Sequence, residues 1–259
     1  MRSQIINFLS CEDTQRNVTA YHKALINEVC CKFGFADFSV QQFIALRKNV
    51  EVGFVATRLT DWECRAIFEY GKKHVFHEYY PLIVDLIKNV TIPRKEKDYG
   101  CTINYYHMFP PLYHEKMIYS FFVNFFDKPL FKAFTPEKSV LEQQLMKHIS
   151  AFLCKQNKYG PEQINVAILD DQFLVVLISG LLTPFLQDAI KNGMEDDDPF
   201  IAKLFVAEGK TVLEDILAQY FSTQAYNPFI YFDKSSDKLI ILSSLSKKSW
   251  LHFLSAAFE

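Results

Sequence analysis

The sequence predicts an α+β fold made of two similar units, each ordered helix, β-hairpin, helices, β-hairpin, and packed together as an internal pseudo-dimer. Three observations carry that prediction. Residues 46–60 lie without gaps over residues 169–183 at an offset of 123, with Leu46/Leu169, Val52/Val175, Leu59/Leu182 and Thr60/Thr183 identical and most apolar positions coinciding. Fixed-period self-similarity of this kind marks copies of one folding unit. The spacing then persists, since Thr60 to Met117 is 57 residues and Thr183 to Leu239 is 56. Finally, 259 residues with 49% apolar and 22% charged side chains suit a globular chain of two ordinary domains. The 25 Phe and 13 Tyr exceed what two small cores hold, and the surplus is expected at an interface between them. The units are placed at residues 14–130 and 131–259.

In the first unit, residues 17–33 put Tyr21, Leu25, Ile26, Val29, Cys30 and Phe33 at three- and four-residue spacings, an amphipathic helix that Gly34 stops. Residues 38–46 read as a strand. Val50, Val52, Phe54 and Ala56 alternate with Glu51, Gly53 and Thr57 in a second strand, joined to the first by Arg47-Lys48-Asn49 as a hairpin. Thr60-Asp61-Trp62-Glu63 has the form of a capping box, so a helix starts there, carrying Trp62, Ile67, Phe68 and Tyr70. It continues through residues 80–90 until Pro93 ends it, and residues 94–100 form a charged loop. Two strands follow, near 101–108 and 116–126, around a turn with Pro110 and Pro111. The run Phe121-Phe122-Val123-Asn124-Phe125-Phe126 reads as a central strand buried on both faces rather than a lipid contact.

In the second unit, Thr135-Pro136 places a cap before a first-turn proline. The helix over 137–154 uses Leu141, Leu145, Met146, Ile149 and Leu153, and a loop over 155–163 contains Gly160-Pro161. Strands 164–169 and 173–179 precede Thr183-Pro184, a second cap and first-turn proline. After an acidic loop over 193–198, Ile201, Leu204, Phe205, Leu213, Ile216, Leu217, Tyr220 and Phe221 line a long helix that tolerates Gly209. Residues 229–232 and 239–242 form the last hairpin. The strand beginning at Phe173 is apolar on both faces, so something must cover its second face, and the other unit is the simplest cover.

Charge is asymmetric. Residues 1–130 hold 16 Lys and Arg against 14 Asp and Glu, residues 131–259 hold 12 against 16, and all six Arg lie in the first half. No basic stripe exists to follow a nucleic-acid backbone, so no nucleic acid is expected as a partner. The six cysteines contain no CxxC, which fits free buried thiols in a reducing cytoplasm. Residues 1–12 lack the form of an export signal, and the most apolar run, 173–182, is far short of a membrane span. A cytoplasmic location is expected.

The second unit resembles MpsC, a bacterial family belonging to a sodium-translocating, membrane-potential-generating system. The residues that carry the likeness are the helix from Leu141 to Cys154, Lys158-Tyr159-Gly160-Pro161, Asp170-Asp171 before the apolar strand, and Gly180-Leu181-Leu182-Thr183-Pro184. It covers about residues 137–245, and the first unit would be a diverged copy. The resemblance implies an accessory or regulatory part of a membrane system for cation or inorganic-carbon uptake, without catalytic residues or a cofactor to transfer. Family members carry an acidic residue shortly after Leu-Thr-Pro, where this chain has Phe185-Leu186-Gln187; Glu63 sits near the equivalent place in the first unit.

Candidate chemistry is sparse. His74, His77 and Glu78 offer two imidazoles on one helix turn without a third metal ligand, and Asp196-Asp197-Asp198 lacks the spaced ligands of a calcium loop, so no metal is expected. Arg58 and Arg65 flank the helix start at Thr60, where free amides favour a small anion. The sequence therefore reads as a non-enzymatic cytoplasmic accessory or interaction protein, with a membrane transport subunit, another protein or a second copy of itself as partner. The alternative is a small-molecule sensor, because Trp62, Tyr70 and the helix after Thr135-Pro136-Glu137 resemble GAF-like domains. An enzyme ranks third, with no nucleophile elbow, P-loop or dinucleotide fingerprint present.

Overall fold

The computed structural model describes residues 44–47, 49–58, 61, 65, 84–85, 88–89, 92–97, 100–109, 112–114, 117–128, 136–157, 160–169, 173–193, 200–223 and 226–245. The chain is mixed α+β with two antiparallel sheets, and it divides into two compact units, Met1–Ala133 and Phe134–Glu259. The expected helix over 17–33, the cap at Thr60, the helix residues Trp62, Ile67, Phe68 and Tyr70, His74, His77 and Glu78, and the acidic residues 196–198 lie outside the described residues.

The first sheet contains β1 (Ile44–Arg47), β2 (Val50–Arg58), β3 (Ile103–Met108), β4 (Leu112–His114) and β5 (Met117–Phe126), in the order β1-β2-β5-β3 with β4 also on β5. β5 is long enough to serve two partners: Met117 to Tyr119 pair with β4, and Phe122 to Phe126 pair with β3. The short β4 is not anticipated by the sequence pattern, because Pro110 and Pro111 cannot donate to a ladder and read there as a plain turn. Pro93 does not end a helix. Residues 92–97 are helical, and the expected charged loop over 94–100 is helical as far as Lys97. Proline is equally at home in a first helical turn, where its missing N–H loses no partner, so its presence alone does not distinguish a stop from a start. Glu96 fastens this segment to the sheet, its Oε1 accepting from the Ile103 N–H at 2.7 Å where β3 begins.

The second unit runs α1 (Pro136–Asn157), β6 (Gln163–Leu169), β7 (Phe173–Ser179), α2 (Pro184–Lys191), α3 (Phe200–Ile216), a π-helical turn over Leu217–Phe221, β8 (Tyr226–Asp233) and β9 (Lys238–Ser244). Pro136 is the first residue of α1, as expected, but the helix extends to Asn157 rather than ending at Cys154. The sheet order is β6-β7-β9-β8. Leu145, Ile149 and Leu153 of α1 and Phe205, Val212, Leu213 and Ile216 of α3 pack with Leu174, Val176, Ile178, Leu239 and Ile241 from one face of the sheet. Each such fully buried aliphatic side chain contributes about 1.5–3 kcal/mol. The other face is also buried, with Phe173, Val175, Leu177, Ile240 and Leu242 all at 4% exposure or less. β7 is thus covered on both sides, as its unbroken apolar run requires.

In both sheets the first hairpin's second strand lies beside the second hairpin's second strand. The ladders also correct the gapless overlay. Arg47 pairs with Val50 across the two-residue link Lys48-Asn49, whereas Leu169 pairs with Phe173 across three residues. With Val52 set on Val175, Leu46 and Leu169 therefore stand one rung apart. Val52 pairs with Val123 and Val175 with Leu242, so Leu239 corresponds to Ser120 rather than to Met117. Length differences collect in hairpin links, where they cost no ladder bond.

Candidate functional site

Three arrangements of polar side chains stand out, and the most buried is in the first unit. Glu51, Asn124 and Tyr106 occupy one rung across β2, β5 and β3. Alternation puts Phe122 on the same face, two residues before Asn124, with its ring stacked near Tyr106 at 6.5 Å between centroids. Lys95, from helical residues 92–97, places Nζ 3.1 and 3.0 Å from the two Glu51 oxygens and 4.7 Å from the centre of the Phe122 ring. The side chains of Lys95 and Glu51 are 5% and 0% exposed. Asn124 Nδ2 donates to Glu51 Oε2, which fixes the amide orientation, while its buried Oδ1 has no hydrogen-bond partner among the described residues. Sequence reading placed Glu51 on an alternating strand but did not single it out. The available signal was a carboxylate and an amide each inside an apolar strand.

A second arrangement explains why the second unit has Gly180-Leu181-Leu182-Thr183-Pro184 where β7 leaves the sheet. Gly180 has φ +75°, and a Cβ there would stand 2.3 Å from Glu162 Cγ, so a side chain would meet both strain and collision. The Leu181 and Leu182 amides then donate to the Asp237 carboxylate at 3.1 Å, and the Gly180 N–H donates to the Asp237 carbonyl at 3.3 Å. Thr183 is the N-cap of α2, its Oγ1 accepting from the Leu186 N–H at 3.4 Å, and Pro184 follows in the first turn. Gly160 lets the chain pass the end of α1, since a Cβ there would stand 2.7 Å from Cys154 Sγ. Pro161 is partly buried beside it, and Asp170 and Asp171 lie outside the described residues. The described signature positions are thus tied to a chain corner. Asp237, which takes two of its amides, was not recognised as part of it.

Burial raises the Asp237 pKa, Glu162 raises it further, and the two amide bonds partly oppose this. The folded chain therefore holds this proton to higher pH than the unfolded chain, and stability falls as pH rises from the ordinary aspartate range through the raised value. Asp237→Asn, which keeps an Oδ1 acceptor, is expected to remove that slope. Urea midpoints between pH 3 and 6 should show the wild type losing ground to Asp237→Asn as pH increases. Asp237→Ala, which deprives both amides, should cost about 1–2 kcal/mol near pH 3, a cost that shrinks as the pH rises through the raised value.

The third arrangement joins α1 to the π-helical turn. His148 Nε2 lies 2.5 Å from Asp215 Oδ2, Gln219 Nε2 donates to Asp215 Oδ1 at 2.8 Å, and the Tyr220 ring stands edge-on to the imidazole at 5.4 Å. About a quarter of each side chain of the His–Asp pair is exposed. A π turn shifts the residues that follow it around the helix axis, and such turns recur at functional sites. Neither member of the pair was singled out from the sequence.

Of the expected anion site, Arg58 ends β2, Arg65 is exposed and Thr60 is outside the described residues. Cys101 is buried, but Cys154 is exposed, contrary to the expectation of buried thiols, because α1 turns that position away from Leu153. Among the described residues, no group of three or more His, Cys, Asp or Glu could hold a metal ion, and no helix is long and apolar enough to cross a membrane. Fold and sites together define a two-unit α+β protein with a buried polar row in one unit and a pinned chain corner in the other. Comparison with protein-family models, curated proteins and solved structures finds no match.

Proposed function

We propose that the chain is a non-enzymatic cytoplasmic accessory or interaction protein, built from two MpsC-like units packed as an internal pseudo-dimer and working beside a membrane cation or inorganic-carbon uptake system. The observation that carries this reading is the common strand order of the two sheets, second strand beside second strand in each. The corner at Gly180 to Pro184 supports the MpsC likeness by giving those residues a shared physical task. Phe185, Phe200 and Leu204 at 75%, 63% and 48% exposure supply apolar surface of the kind partners use. Affinity capture of the tagged full-length chain from native membranes and cytosol tests the reading. Recovery of a transport subunit is expected, and recovery solely as a soluble species carrying a small molecule would overturn it.

A second reading, the small-molecule sensor, is favoured by the Glu51, Asn124 and Tyr106 row beneath Lys95. A buried polar cluster is costly to keep and is common where a protein recognises something.

A further inference from the structure

We infer that the row on the first sheet is a binding site for a small uncharged molecule that presents an N–H or O–H donor to Asn124 Oδ1. The inference rests on the sensor reading and names the ligand class and the contact. Four observations lead to it.

The fold does not require charge at this rung. In the second sheet the first paired rung positions after the hairpin link are Phe173 with Ser244 and then Leu174 with Ser243, matching Val50 with Phe125 and Glu51 with Asn124. Leu174 is fully buried against helices on that face. Where one unit sets a leucine against a serine, the other holds a carboxylate, an ammonium and an amide, and apolar replacements of buried ion pairs are often as stable or more so. The charge pair here is not something the fold requires.

The unpartnered atom is also fixed. Asn124 Nδ2 is committed to Glu51, and flipping the amide would aim Oδ1 at a carboxylate, so Oδ1 stays turned away from Glu51. A carbonyl oxygen buried without a donor destabilises the fold, a deficit that a bound donor removes.

Charge sets the ligand class. Glu51 and Lys95 neutralise each other at 3.0 Å, a cation at Asn124 would compete with Lys95 for Glu51, and an anion would meet the Glu51 carboxylate. An uncharged donor disturbs neither. Phe122 and Tyr106 stack on the same face, so the row lies in aromatic surroundings that favour an uncharged group over a further charge.

The test uses full-length chain purified from its native cells, then denatured so that released small molecules can be identified by mass spectrometry. Asn124→Ser gives the rung the serine that the second sheet carries there, and Asn124→Leu removes the acceptor altogether; urea unfolding of each reports whether the fold survives. An uncharged hydroxyl- or amide-bearing compound is expected near one per chain from the wild type, with recovery lowered about tenfold in Asn124→Ser, the loss that one hydrogen bond of about 1.4 kcal/mol represents. A charged compound would overturn the inference while leaving the sensor reading in place. If the wild type releases nothing, and water is the sole partner of Asn124 in water-to-amide Overhauser spectra, both fall.

Discussion

Lys95→Met is expected to destabilise the chain by about 3–5 kcal/mol, because it strips the ammonium from both oxygens of a carboxylate that remains out of water. Glu51→Leu should cost a similar amount by leaving the ammonium stranded over Phe122. The informative variant is the pair. Glu51→Leu with Lys95→Met gives the rung the leucine that the second sheet already packs, at Leu174, and removes both charges together. Its stability should return to within about 1 kcal/mol of the wild type or exceed it, as buried pairs replaced by apolar side chains commonly do. Urea unfolding at pH 7, followed by far-ultraviolet circular dichroism, gives the four corners of the cycle. A single-variant cost below about 1 kcal/mol would mean that the pair is solvated in solution. A double variant as unstable as either single one would mean that the segment at 92–97 docks for another reason, such as the Glu96 bond to Ile103.

The second unit was the more legible in sequence, and the reason is physical. Its β7 is a continuous apolar run bounded by Gly180 and a capped proline, so length, burial and ends were all marked locally. α1 and α3 showed the same clarity, since Leu145, Ile149 and Leu153 recur on one helical face. The first unit hides its plan because its strands mix signals. Glu51 interrupts an apolar alternation, and its partner Lys95 is 44 residues away on a segment whose proline looks like a terminator. No local pattern can report a pairing across that separation. The same applies to Asp237, which serves amides 55 and 56 residues earlier, and to His148 with Asp215, which are 67 apart. Registers were least legible of all. One extra residue in a hairpin link slides a strand by a rung, and side-chain alternation then reverses which face a given position occupies.

Gly209→Val is expected to cost about 3 kcal/mol, although the glycine sits inside a helix where a replacement would ordinarily help. In an exposed helix interior, exchanging Gly for Ala gains about 1 kcal/mol. Here a Cβ would stand 2.9 Å from Ile230 Cγ2 and 3.3 Å from both Leu239 methyls, so α3 rests on β8 and β9 with no room for one. The helix does not merely tolerate this glycine; the glycine sets the distance at which α3 meets the sheet. Gly209→Ala should therefore be destabilising rather than neutral, and Gly209→Val more so, because its branches reach further into the same two side chains. Ile230→Ala removes the nearer obstacle. The double variant Gly209→Ala with Ile230→Ala should then lose less than the sum of its singles, by about 1 kcal/mol, as coupled neighbours do. Additive costs would place the obstruction at Leu239 instead, and a stabilising Gly209→Ala would show that α3 stands off the sheet in solution.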